Sequence, residues 1–157
     1  MKTGLGHVVV VLAITSSLGA EPSDADLAAI ERVALDYGDG WYEGNAERMK
    51  RSLHPELAKR MVFTNPETGR SRLNQQGAMT LVDNTRRGGG KNAPVSTRGS
   101  KVTILDVFEN AAAVKMEGPE WVDYLHLARW NGDWVIVNVL WELDVDARER
   151  RGRASRE

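Results

Sequence analysis

The chain has 157 residues, 41% hydrophobic and 27% charged, which suits one domain with a buried core. Lys and Arg total 21 against 22 Asp and Glu, a formal net charge of −1, so no overall field recruits nucleic acid or an anionic membrane. Cysteine is absent, which excludes disulfides, a thiol nucleophile and zinc–thiolate ligation.

The first twenty residues, "MKTGLGHVVVVLAITSSLGA", carry one basic residue, Lys2, then an apolar run from Val8 to Ile14, then small residues. That is the layout of a secretory signal peptide cut after Gly19 or Ala20. The run is too short to cross a bilayer comfortably, so no membrane span is expected after cleavage. A secreted chain without disulfides fits a bacterial periplasm or exterior. The expected organisation is a signal peptide over 1–20, one domain over 21–143, and a basic, solvated tail over 144–157, "DVDARERRGRASRE".

Ser23, with Asp26 three residues on, reads as a helix start. Leu27, Ile30, Ala34, Tyr37 and Trp41 follow at helical spacing, and the helix is expected to end near Glu43. Asn45 is placed to cap a short second helix, "AERMKRSLH", which Pro55 should stop. A strand is expected from Leu57, "LAKRMVFTN", closed by the turn "NPETGR". Asn74 is read as the cap of a third helix over about Gln75 to Thr85. "RRGGGKNAPVSTRGS" reads as a flexible basic loop. From Lys101 the period changes to two, and "KVTILDVFE", "AAAVKME", "WVDYLHLARW" and "DWVIVNVLWEL" read as four antiparallel strands. The last two flank Asn131-Gly132, a type I′ hairpin turn.

Helices followed by a strand meander imply an α+β domain with helices on one face of an antiparallel sheet. The helix end "YGDGWYEGNAERM", the following "LHP" and the late strands "WVDYLHLARWNGDWVIVNVLWEL" resemble the nuclear transport factor 2-like superfamily. Within it they resemble the lumazine-binding group and its polyketide-cyclase-like relatives. The resemblance spans about Asp24 to Leu143. It implies a cone-shaped fold, a curved antiparallel sheet wrapped on the long N-terminal helix, and homodimers formed through the sheet.

A two-residue turn pairs Trp130 with Asp133 and fixes the register behind it. Strict alternation then puts Tyr124, His126, Ala128, Trp130, Val135, Val137, Val139 and Trp141 on one face. Asp123, Leu125, Leu127, Arg129, Trp134, Ile136, Asn138 and Leu140 fall on the other. Likeness to the superfamily's steroid isomerases chooses the pocket face. Their pocket tyrosine, seven residues before the helix-end glycine, corresponds to Tyr37. Their late-strand aromatic corresponds to Trp141, and their hydrogen-bonding acid to His126. The isomerases' carboxylate base falls at Met61, so their reaction is not expected here. The face of His126 is therefore taken as the pocket wall.

The candidate catalytic residues are His126, an acid or base whose ordinary pKa lies near neutral, and Tyr37, a hydrogen-bond donor. The candidate ligand-binding residues are Trp41, Tyr124, Val139 and Trp141. Asp123 and Asn138, near-diagonal on the opposite face, read as a polar bridge or rim at a dimer interface, or as ligand contacts if the faces are reversed. His54 reads as a helix-terminal residue. No helical His pair or phosphate-binding glycine motif occurs, so neither metal nor cofactor is expected. Three readings stay open. One is a secreted or periplasmic protein binding a small apolar or aromatic molecule. A second is a cofactor-free lyase, isomerase or cyclase using His126. The third is a non-catalytic dimeric partner protein.

Overall fold

A computed structural model describes residues 21–93 and 99–144. The expected signal peptide, nearly all of the basic tail and part of the glycine-rich loop lie outside them. Helix α1 (Asp24–Glu43) is followed by α2 (Ala46–Ser52), strands β1 (Leu53–Thr64) and β2 (Ser71–Gly77), and α3 (Ala78–Arg86). Strands β3 (Lys101–Phe108), β4 (Ala111–Glu117), β5 (Trp121–Trp130) and β6 (Asp133–Leu143) complete the domain.

The α1 start follows its sequence. The Ser23 hydroxyl oxygen accepts from the Asp26 backbone N–H at 3.1 Å. Despite Gly38 and Gly40 near its end, α1 runs unbroken to Glu43, because packing outweighs their weak helix propensity. At Gly38 an added Cβ would lie 2.3 Å from Ser100 Oγ and 2.8 Å from Met116 Sδ, so the helix touches β4 only because this position has no side chain. Gly44 takes the left-handed cap conformation (φ 63°) that turns the chain into α2. There Asn45 Oδ1 accepts from the Arg48 N–H at 3.1 Å.

The sheet runs β2-β1-β6-β5-β4-β3. All neighbours are antiparallel except β1 and β6. It curves over α1, which contacts β3, β4 and β6, while α3 packs against β1 and α2. Ile30 and Ala34 of α1 meet Leu125, Leu127, Ile136 and Val139 in the core.

Two expectations change. The α2 helix stops at Ser52, and β1 begins at once and passes through Pro55. The β1–β6 register is irregular between Leu53 and Ala58, so the missing proline N–H falls where regular pairing is interrupted. Asn74 is not a helix cap. It lies in β2, paired with Met61, and the third helix begins only at Ala78, after Gly77. The Asn65 turn returns the chain beside β1, whose free edge takes up the polar stretch "SRLNQQG" as an edge strand.

One contact ties the first turn of α1 to the β5–β6 hairpin. The Asp26 carboxylate accepts from Trp134 Nε1 at 3.1 Å and from the Arg129 guanidinium. The Trp134, Ser23 and Arg129 hydrogen bonds lower the Asp26 pKa from 3.8 to about 2. A folded-state pKa below the unfolded one gives stability present above the unfolded value and lost as pH falls through the folded one. Urea unfolding followed stepwise from pH 3.8 down to about 2 should therefore show a loss of stability that Asp26→Asn lacks. Parallel losses in both proteins would mean that this tie contributes nothing.

Candidate functional site

The β5–β6 hairpin forms around Asn131 (φ 51°) and Gly132 (φ 94°), with Trp130 opposite Asp133. The expected register holds as far as Leu127 opposite Ile136. There β6 takes one extra residue, Val137, so that His126 faces Asn138 and Leu125 faces Val139. A single-residue bulge moves every later side chain of that strand to the other face. Val139 and Trp141 thus join Asp123 and Leu125 on the helix-covered side, while Asn138 and Leu140 turn outward.

The predicted pocket face is corrected accordingly. His126 and Tyr124 are exposed on the outer surface of the sheet. His126 Nδ1 lies 3.2 Å from Asn138 Nδ2, whose Oδ1 accepts from Arg60 at 2.9 Å. His126 therefore cannot act within the cone. Asp123 and Asn138 form no bridge, because the bulge leaves them on opposite faces. His54 stands in β1 rather than at a helix end, edge-on to Trp130 with ring centroids 4.7 Å apart.

Between α1, β1, α3 and the ends of β5 and β6 lies a cavity of about 130 Å³. Tyr37, Trp41 and Trp141 line it, joined by Lys59, Gln76 and Trp121, which the sequence reading did not single out. Val139 lies beneath this wall in the core, opposite Lys59 in the β1–β6 register. Trp121 stacks on Tyr42 (5.3 Å, 2°) and meets Trp41 edge-on (6.2 Å, 78°), so the aromatic wall is braced from α1. The Trp41 indole N–H has no acceptor among the described residues.

At one end of the cavity stands a buried polar triad. Lys59 is 7% exposed and Asp123 is fully buried. Lys59 Nζ donates to Tyr37 Oη at 2.5 Å and to Asp123 Oδ1 at 3.1 Å. The Tyr37 hydroxyl in turn donates to Asp123 Oδ2 at 3.0 Å. Nζ also lies 4.9 Å from the Trp141 ring centroid and 5.2 Å from that of Tyr37. A third, longer contact runs from Nζ to Asp123 Oδ2 at 3.4 Å, so every hydrogen bond of the ammonium among the described residues goes to Tyr37 or Asp123. Desolvation lowers the Lys59 pKa, and the Asp123 charge opposes that only in part. Desolvation, reinforced by the negative charge of Asp123 and the hydrogen bond to it, pushes the Tyr37 phenol well up, so it stays protonated and donating.

Lys59 had a signal in the sequence. In "LAKRMVF", Leu57, Lys59 and Met61 share one face of a strand, which puts a lysine among inward-facing apolar residues. Asp123, 0% exposed, accepts from Tyr37, whereas the resemblance had set the place of the hydrogen-bonding acid at His126.

The pair predicts an asymmetric stability pattern. Asp123→Ala leaves Lys59 desolvated without its counter-ion and should cost about 3–5 kcal/mol in urea unfolding, whereas Lys59→Met combined with Asp123→Leu should recover most of that. A double variant no better than Asp123→Ala would show that the charges are not coupled.

A family profile described as "Putative lumazine-binding" matches residues 25–142. Three solved structures share the fold, each titled a nuclear transport factor 2-like protein of unknown function. The one from Silicibacter pomeroyi DSS-3 superposes with a TM-score of 0.62 at 14% identity, covering 79% of this chain and 100% of that one. The one from Methylobacillus flagellatus KT gives 0.58 at 21% identity, covering 81% and 98%. That from Shewanella baltica OS155 gives 0.57 at 15%, covering 79% and 98%. No curated protein sequence matches the chain.

Proposed function

Because the chain belongs to the family described as "Putative lumazine-binding", with the nuclear transport factor 2-like fold, we propose that it binds one compact, flat small molecule in the cone. The observation that carries this reading is the buried ammonium of Lys59 on the wall of an aromatic-lined cavity. Such a site, mostly apolar with a few convergent polar groups, is the usual form of a small-molecule pocket. Its volume of about 130 Å³ is close to the roughly 150 Å³ at which an apolar cavity takes up benzene. One ring therefore fits better than the two fused rings of a lumazine. Asp123 already balances the Lys59 charge, so a neutral carbonyl oxygen suits the ammonium better than a second anion.

Isothermal titration with benzamide, one ring bearing one unreactive carbonyl, tests this. One site per chain is expected. Lys59→Met should weaken binding about 10- to 100-fold, the worth of a hydrogen bond from a charged donor. His126→Ala, on the outer face, should bind as the unaltered protein does. Loss of binding in His126→Ala, or no saturable binding at all, would overturn the cavity as the site.

The expected homodimer and export belong to the same reading. The outer sheet face exposes Tyr124 opposite Leu140 and, further along, Val62 opposite Leu73, each between 45% and 60% exposed. Four large apolar side chains on neighbouring strands favour burial against a second copy. The charge, apolar run and small residues of 1–20 favour export to the periplasm or exterior. Native mass spectrometry of protein from its own host reads both points. A two-subunit species beginning at Ala20 or Glu21 is expected, and a full-length monomer would sink both.

A further inference from the structure

We propose that Lys59 is a covalent anchor: its amine condenses with the carbonyl carbon of a compact aldehyde or ketone held in the cavity, giving an imine. This rests on the binding reading above and adds a reaction to it.

The cavity wall limits the chemistry available. Lys59 and Tyr37 are the only ionisable side chains lining the cavity among the described residues, and no carboxylate faces it. A reaction begun by a carboxylate base therefore has no base at hand, whereas a nucleophilic amine is in place. Desolvation is the standard means of making a lysine amine reactive, since it disfavours the ammonium form. Lys59 has that environment, with its pKa lowered by burial. The surface lysines Lys50 and Lys101 are exposed.

The triad supplies the proton movements. The Lys59 ammonium passes one proton to Asp123, to which it is bonded directly and through the Tyr37 hydroxyl. The freed nitrogen lone pair forms a C–N bond as the carbonyl π pair moves to oxygen. A second nitrogen proton, relayed through Tyr37, makes that oxygen a hydroxyl. Asp123 then returns its proton to the hydroxyl, the C–O bond breaks and water leaves. One ammonium and one carbonyl become one protonated imine and one water, with Asp123 and Tyr37 restored and no oxidant or reductant consumed. The rings of Trp141 and Tyr37, 4.9 and 5.2 Å from Nζ, flank the cation that results. Lys59 is also held firmly, between Gln76 of β2 and Val139 of β6 in the register of β1. Its reactive nitrogen is thus delivered from sheet rather than from loop.

The probe is benzaldehyde, the reactive counterpart of benzamide, with sodium cyanoborohydride to reduce any imine to a stable amine. At neutral pH, intact mass is expected to show one benzyl adduct per chain, and peptide mapping should place it on Lys59. Lys59→Arg keeps a cation against Asp123 and cannot form the imine, so it should lose the adduct while its thermal unfolding stays close to that of the unaltered protein. Excess benzamide should suppress labelling. Saturable benzamide binding without an adduct on Lys59, or labelling of Lys50 and Lys101 in preference to it, overturns the covalent step and leaves the binding reading intact. Absence of benzamide binding would instead overturn the binding reading. An equal yield from Lys59→Arg overturns the assignment to Lys59 directly.

Discussion

The ion pair between Lys59 and Asp123 is the constraint around which the inner face of the sheet is arranged. Removing two such charges from water costs several kcal/mol per ion, and their attraction repays it only when geometry is good and the remaining donors and acceptors are bonded. The two residues stand on β1 and β5, strands separated by β6. In a flat sheet that is two strand spacings, close to 10 Å. Curvature toward α1 shortens the gap on the inner side, and the four-carbon lysine stem spans the rest over Trp141. Tyr37 reaches down from α1 to the same two groups. One helix and two strands thus meet at a single polar point, and shifting any of them strands a buried charge.

That convergence depends on Val137. Without the bulge at this residue, Val139 and Trp141 would face outward with Tyr124, and Asn138 and Leu140 would enter the core in their place. The bulge gives the hairpin two characters. Near the turn, Trp134 and Ile136 close the core against α1. Beyond it, Val139 enters the core and Trp141 forms part of the cavity wall. It also strengthens local twist, which helps the sheet wrap the helix.

The legibility of the sequence follows the range of the interactions. Local signals were read well: the Ser23 start of α1, the Asn45 cap of α2 and the Asn131-Gly132 turn all depend on residues within a few positions of one another. Tyr37, Trp41 and Trp141 were placed toward the cavity by resemblance and spacing, and the structure puts them there. His126 and Tyr124 were misplaced because alternation carries no mark of a bulge. "VIVNV" reads equally well with or without an extra residue. Strand β2 was missed because its polar residues lack a buried face, and only the open edge of β1 makes them a strand. Lys59 was legible in principle, as a charge at an inward position, but its partner is 64 residues away, and nothing local points to Asp123.

The cavity is the other departure from a fold built for stability alone. Filling a void of about 130 Å³ would gain up to about 3 kcal/mol at the usual cost per unit of cavity volume. Larger side chains at Met116 or Leu81 are the obvious means. Gly90 does the reverse, since it lies against Trp41 so closely that an added Cβ would come within 2.7 Å of the indole ring. An unfilled hollow and a desolvated amine therefore occur together, each unfavourable to folding and both met at once by a flat molecule carrying a carbonyl oxygen. Penalties that arose independently would be scattered through the core. Their meeting on one wall is what an occupant explains.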